Sequence, residues 1–180
     1  MNRDQLIHIV RASARITDET RFVVVGSQLI LATREDLPDP LVFSMEADIY
    51  PRESPEKAIE IDGGIGEGSM FQSTHGVYGH GVGPETAKCP AGWEDRLIPL
   101  EFTDGGKTIT AECLEPNDLA LSKCVAGRER DWEFVQCAAE EGLVELELMQ
   151  SRVELLPIAD RERQRVKRML EGIAIRIANA

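Results

Sequence analysis

Leu6, Ile7, Val10 and Ala14 recur at helical spacing through the first segment, which predicts an amphipathic helix over roughly Arg3 to Ile16. The run that follows, "RFVVVGS", is short and β-branched and stops at Gly26-Ser27, as a strand does when it ends in a turn. "QLILAT" suits a helix, the turn-rich "REDLPDP" punctuates it, and "SMEADIY" reads as a second strand. Ser54-Pro55 has the form of a helix start, with serine as cap and proline in the first turn, and "PEKAIEID" continues it.

From Asp62 to Gly92 the chain is rich in glycine, residues that permit turns and close packing, with a short strand expected in "GVYGHGV". "RLIPLEF" and "KTITAECL" flank the turn "TDGG" and predict a β-hairpin. Helical patterning then holds to the end: one helix from near Pro116, one from near Asp131, and a last one carrying Val166, Leu170, Ile173 and Ile177 at helical spacing. The expected architecture is α+β, a mixed sheet with flanking helices and a helical C-terminal part. It divides into an α/β core over 1–115 and helices over 116–180 packed on the same domain.

Composition narrows the function. Twenty Lys and Arg against 32 Asp and Glu give a net charge of -12, which argues against broad attraction to nucleic acid. No run approaches the ~18 apolar residues of a membrane helix. The N-terminus, "MNRDQLIHIVRASARI", is charged and amphipathic, unlike a secretory signal, so a cytoplasmic protein with no membrane contact is expected. Cys89, Cys113, Cys124 and Cys137 form no C-x-x-C pair, and His75 and His80 near Cys89 have no recognised ligand spacing. The glycine-rich "GGIGEG" lacks a preceding strand and a following Lys-Ser/Thr, so neither a P-loop nor a dinucleotide fingerprint is read there.

Glu46 and Asp48 are the anomaly. They sit at i and i+2 of a strand, on one face and about 7 Å apart along it. Unneutralised, the pair is repulsive; either water solvates the face or a cation lies there. A strand ending in Gly26-Ser27 makes a natural phosphate cradle when its backbone N–H groups open a helix. Two carboxylates beside it are hard oxygen ligands suited to magnesium bridged to a triphosphate. The plain counterparts are an ordinary strand-to-helix turn and a solvated acidic strand.

Together, "VVVGSQLIL", "SMEADIYP", "GVGPETAKCPAGWEDRL" and "LEPNDLALSKCVAGRERD" resemble the nucleotidyltransferase-like family DUF6036 over about Phe22 to Phe134. The helical segment is similar to the AbiE-type toxin branch of that superfamily. The resemblance implies that Gly26 and Ser27 contact nucleotide phosphates and that Glu46 and Asp48 hold Mg2+ or Mn2+ with an NTP as substrate. It implies that Lys123, in the Asp118-x4-Lys123 element, meets phosphate charge and that Asp131 is an acidic active-site residue or the orienter of Arg128. As implied partners it brings a tRNA end or a protein as acceptor, and a cognate antitoxin.

Each assignment has a plainer counterpart: a helix-surface lysine at Lys123, a helix N-cap at Asp131. The sequence also departs from the family pattern, with Glu at the first acid and eighteen residues between Ser27 and Glu46. A third carboxylate is not marked; Glu101, flanked by apolar residues, is preferred over Glu112. The basic run Arg161, Arg163, Arg165, Lys167 and Arg168 reads as a solvated helix face before an RNA surface. The leading expectation is nucleotidyl transfer to an unidentified acceptor. Its rivals are a non-catalytic nucleotide-binding or toxin-antitoxin interaction module on the same fold, and a plain α+β protein with a solvated acidic strand.

Overall fold

The computed structural model describes residues 1–26, 38–42 and 44–179. Ser27 and the helix expected in "QLILAT" lie outside the described residues. The chain forms two compact units: Met1–Thr86 with Leu97–Leu114, and Ala87–Arg96 with Glu115–Ala180. The loop Ala87–Arg96 is grouped with the helices of the second unit. Within the second unit that loop is tied down by the Ala91 N–H, which donates to the Leu155 carbonyl at 2.9 Å, and by Arg96.

In the first unit, helix α1 (Arg3–Thr17) starts at Asn2, whose side chain accepts from the Gln5 N–H, and buries Leu6, Ile9, Val10 and Ala14. Strand β1 (Arg21–Val24) is followed by the short helix α2 (Asp39–Val42) and strand β2 (Glu46–Pro51). The expected serine cap takes another role: the Ser54 hydroxyl donates to Glu19 at 2.9 Å, and a 3-10 turn over Pro55–Lys57 leads into α3 (Ala58–Ile65). The glycine-rich stretch is more ordered than its composition suggests. It carries α4 (Met70–His75), capped by the Ser69 side chain, and strand β3 (Tyr78–Gly81).

The hairpin is β4 (Ile98–Asp104) and β5 (Lys107–Cys113), and both turn glycines, Gly105 and Gly106, have positive φ as a type I′ turn requires. The sheet order is β3-β2-β1-β5-β4. Central β1 runs antiparallel to β2 and parallel to β5, while β2 and β3 are parallel.

One sheet face is apolar, with Phe22, Val24, Ala47, Ile49, Ile109, Ala111 and Cys113 all buried. Helices α1 and α3 cover it, and β3 meets them with glycines. A Cβ at Gly79 would lie 2.9 Å from Ile65, and one at Gly81 would lie 1.9 Å from the Ala58 carbonyl oxygen. By strand alternation the opposite face carries Glu46, Asp48, Tyr78 and His80.

The second unit holds α5 (Pro116–Ala126), α6 (Glu129–Glu140), α7 (Leu146–Arg152) and α8 (Asp160–Ala178). Val166, Met169, Leu170 and Ile173 bury one stripe of α8. Part of its basic run is not solvated: Arg165 donates to the Cys124 and Val125 carbonyls at the end of α5, at 3.4 and 2.5 Å, where a cation complements the helix dipole. Arg163 pairs with Asp160 and Lys167 with Glu154, while Arg161 and Arg168 are exposed. Among the described residues no helix is long and apolar enough to cross a membrane.

Candidate active site

The site is built at the carboxyl end of β1. Its apolar run places Phe22, Val23 and Val24 in the middle of the sheet, and the strand leaves it through Val25, whose N–H donates to the Asp48 carbonyl at 3.0 Å. The next residue, Gly26, is buried against Asp48. A Cβ there would stand 3.0 Å from Asp48 Oδ2 and 3.1 Å from its backbone nitrogen. Glycine is what lets the two strands close at this point, so the Gly26 and Asp48 singled out by sequence are direct neighbours.

Glu46 and Asp48 share a face at the start of β2, as the alternation requires, and neither is left as a bare charge. The parallel register sets Glu46 against Tyr78 and Asp48 against His80. The Tyr78 hydroxyl donates to Glu46 Oε2 at 2.8 Å, and His80 Nδ1 lies 2.9 Å from Asp48 Oδ1. Burial, together with the Glu46 carboxylate, pushes the Tyr78 phenol up to about 12, so it stays a hydrogen-bond donor at any physiological pH. Asp48 is a quarter exposed and His80 half exposed. The pair is therefore open to a ligand from solvent.

Neither candidate for a third acid stands beside Asp48. Glu112 shares the face on β5, opposite Val23, but is gripped by Arg21 and, at 3.2 Å, by Arg52. Glu101, opposite Thr110 on β4, is exposed. It is three strand spacings from β2, about 14 Å. Among the described residues no group of three or more His, Cys, Asp and Glu side chains is assembled to hold a metal ion. Two carboxylates still fit magnesium, which is commonly held by one or two carboxylates and completed by waters and substrate phosphates.

Lys123, Arg128 and Asp131 gather in the second unit. Lys123 Nζ lies 3.3 Å from Asp131 Oδ1 and 4.6 Å from the Phe134 ring centre, an ion pair with a cation–π contact. Asp131 is buried, and its Oδ2 accepts the Arg128 backbone N–H at 3.1 Å, stitching the first turn of α6. It thus meets Arg128 through the backbone, from the third position of the helix; the N-cap expected at Asp131 is Arg128 itself. The Arg128 residue is exposed.

Asp118, the other end of the Asp118-x4-Lys123 element, is fully buried between Arg96 at 2.7 Å and Arg152 at 2.9 Å. Glu115 also binds Arg152, at 2.6 Å, and Asn117 joins the network by accepting the Glu145 N–H at 2.7 Å. Burial opposes ionisation of Glu115, but bonds from Asn117 and Arg152 outweigh it and hold the carboxyl below its usual range.

Tyr78 and His80 were not found by sequence reasoning as site residues. Their signal is the alternation in "VYGHG": two glycines on the face that helices press against, and Tyr and His on the other.

A mixed five-stranded sheet, with a glycine closing the central strand onto an acid-bearing neighbour, defines a nucleotidyltransferase-like fold. The chain belongs to the family described as nucleotidyltransferase of unknown function (DUF6036), whose sequence profile matches residues 4–171. No curated protein and no solved structure matches it.

Proposed function

We propose that the protein transfers a nucleotidyl group from an NTP to an acceptor hydroxyl or side chain, at the end of β1 and β2. The observation that carries this reading is the closure of Gly26 on Asp48, with Glu46 on the same strand face: the end of the central strand set against a strand that bears two carboxylates on one side. In the reaction the acceptor hydroxyl releases its proton to water with the help of the site's carboxylates, its oxygen bonds to the α-phosphorus, the bond to the α,β-bridging oxygen breaks, and pyrophosphate leaves with that electron pair. Glu46 and Asp48 are the residues that would hold Mg2+ or Mn2+, which supplies charge neutralisation on the phosphates.

Tyr78 and His80 orient the two carboxylates, fixing them on one face against their mutual repulsion. Ser27 enters through its place at the end of the strand in the sequence and lies outside the described residues; Lys123, Arg128 and Asp131 enter only through the family resemblance, as does a tRNA end or a protein as acceptor. Lys123 and Asp131 already serve each other.

One observation favours the second reading, a nucleotide-binding or interaction module without turnover. Among the described residues no further acid stands beside Asp48, since Glu112 is tied to two arginines and Glu101 lies across the sheet. Calorimetric titration of ATP, GTP, CTP and UTP with Mg2+ on the wild type and on Asp48→Ala tests the site. Magnesium-dependent binding abolished in Asp48→Ala supports it, and label transfer from NTP to a cellular fraction then separates enzyme from binding module. Binding of no nucleotide removes the transferase reading and favours the interaction module.

A further inference from the structure

The Asp48–His80 contact does more than steady a carboxylate. Two donors bound to one metal ion at about 2.1 Å and at right angles lie about 3.0 Å from each other, one edge of an octahedron. The His80 Nδ1 to Asp48 Oδ1 separation is 2.9 Å. The two donor atoms thus stand one octahedral edge apart, and a cation beside the line that joins them would be held once the imidazole and the carboxylate turn toward it. The backbone fixes this span. Asp48 and His80 are register partners on adjacent parallel strands, and β3 is seated by Gly79 and Gly81 against Ile65 and the Ala58 carbonyl. Glu46, by contrast, is engaged by the Tyr78 hydroxyl.

We propose that His80 is a protein ligand, with Asp48, of the divalent cation at this site, and that the resulting oxygen–nitrogen donor set selects a first-row transition ion over Mg2+. This rests on the reading of Glu46 and Asp48 as the cation site. The chemistry follows from the donors: Mg2+ demands hard oxygen ligands and holds its waters, whereas imidazole nitrogen strengthens binding of ions such as Co2+ and Zn2+. A third carboxylate would have kept the site oxygen-only. Imidazole stands instead at the position across from Asp48.

The test uses the full-length, tag-free chain and the metals alone. Titrations with Co2+ and with Mg2+, the former followed also by visible absorption, are run on the wild type, His80→Ala, His80→Gln, Asp48→Ala and His75→Ala. The last is a control, because the His8 and His75 rings lie 4.4 Å apart and form a rival imidazole pair. Loss of even an outer partner of a metal ligand costs about 10–100-fold in affinity. His80→Ala and His80→Gln should therefore weaken Mg2+ only as the loss of an outer partner of Asp48 does, but weaken Co2+ at least about tenfold more than that and change its spectrum. Asp48→Ala should lose both ions.

An unchanged Co2+ affinity and spectrum in both His80 variants overturns the proposal and leaves an oxygen-only magnesium site. Co2+ binding that disappears in His75→Ala rather than in the His80 variants overturns it equally. Binding of neither ion, or binding insensitive to Asp48→Ala, removes the cation site itself and with it the reading underneath. Circular dichroism melts separate ligand loss from unfolding; β3 is an edge strand and His80 is half exposed, so both variants should fold.

Discussion

Gly26 and Asp48 touch where two antiparallel strands part, and the space between them is tight for a methyl group. A Cβ on Gly26 would sit 3.0 Å from Asp48 Oδ2 and 3.3 Å from Asp48 Cβ. The carboxylate would have to shift by a few tenths of an ångström, which disturbs its contact with His80. Gly26→Ala should therefore lower magnesium-dependent nucleotide affinity about tenfold while costing about 1–3 kcal/mol of stability, the usual range for overpacking. Calorimetry alongside thermal melts checks this; unaltered nucleotide affinity would detach Gly26 from the site.

Lys123 balances the buried Asp131 carboxylate in the second unit. Removing one partner of a buried pair strands the other, at a cost of about 3–5 kcal/mol. Lys123→Met should destabilise the protein by an amount in that range, and Lys123→Met with Asp131→Leu should recover most of it. Chemical denaturation of the two variants and the wild type measures the recovery. If the double variant is stable yet binds no nucleotide, the Lys123–Asp131 pair has the site role that the family resemblance implies. If it binds normally, the pair is architectural.

The Asp118 network sets the acid limit of the second unit. Glu115 has an ordinary value of 4.5 and is held below it in the folded state. Its contribution is therefore complete above about pH 4.5 and lost as pH falls through the lower folded value. Acid unfolding followed by Trp fluorescence should begin below that point, and Glu115→Gln should flatten this part of the profile. Asp118→Ala, which leaves Arg96 and Arg152 facing each other without their shared carboxylate, should cost about 3–5 kcal/mol even at neutral pH.

Burial pushes the thiols of Cys89, Cys113 and Cys124 up to about 12. At pH 8 roughly one thiol in 10,000 is then thiolate, so these three should resist alkylation until the chain unfolds. Cys137, the one half-buried cysteine, should be the fast-reacting thiol. A native-state thiol assay with Cys137→Ser as control decides it: two or more fast thiols in the wild type would contradict the packing described here.

What can be read from order along the chain proved to be what depends on near neighbours. Helix α1, strands β1 and β2, the hairpin with its Gly105-Gly106 turn and helix α8 all follow from local periodicity and turn chemistry, and so does the shared face of Glu46 and Asp48. Helix α4 was hidden because its flanking glycines read as a loop, although Ser69 caps it. The site was legible only in halves. Gly26 and Asp48 could be named, but their contact depends on β1 and β2 pairing antiparallel across a long connection, and no periodicity records which strands become neighbours. The same holds for His80, which stands opposite Asp48 because β3 runs parallel to β2 in one particular register, and for Asp118, whose two arginines lie 22 and 34 residues away. Alternation along a strand assigns a side chain to a face; only the pairing of distant strands and helices, driven by burial of their apolar faces, decides what it meets there.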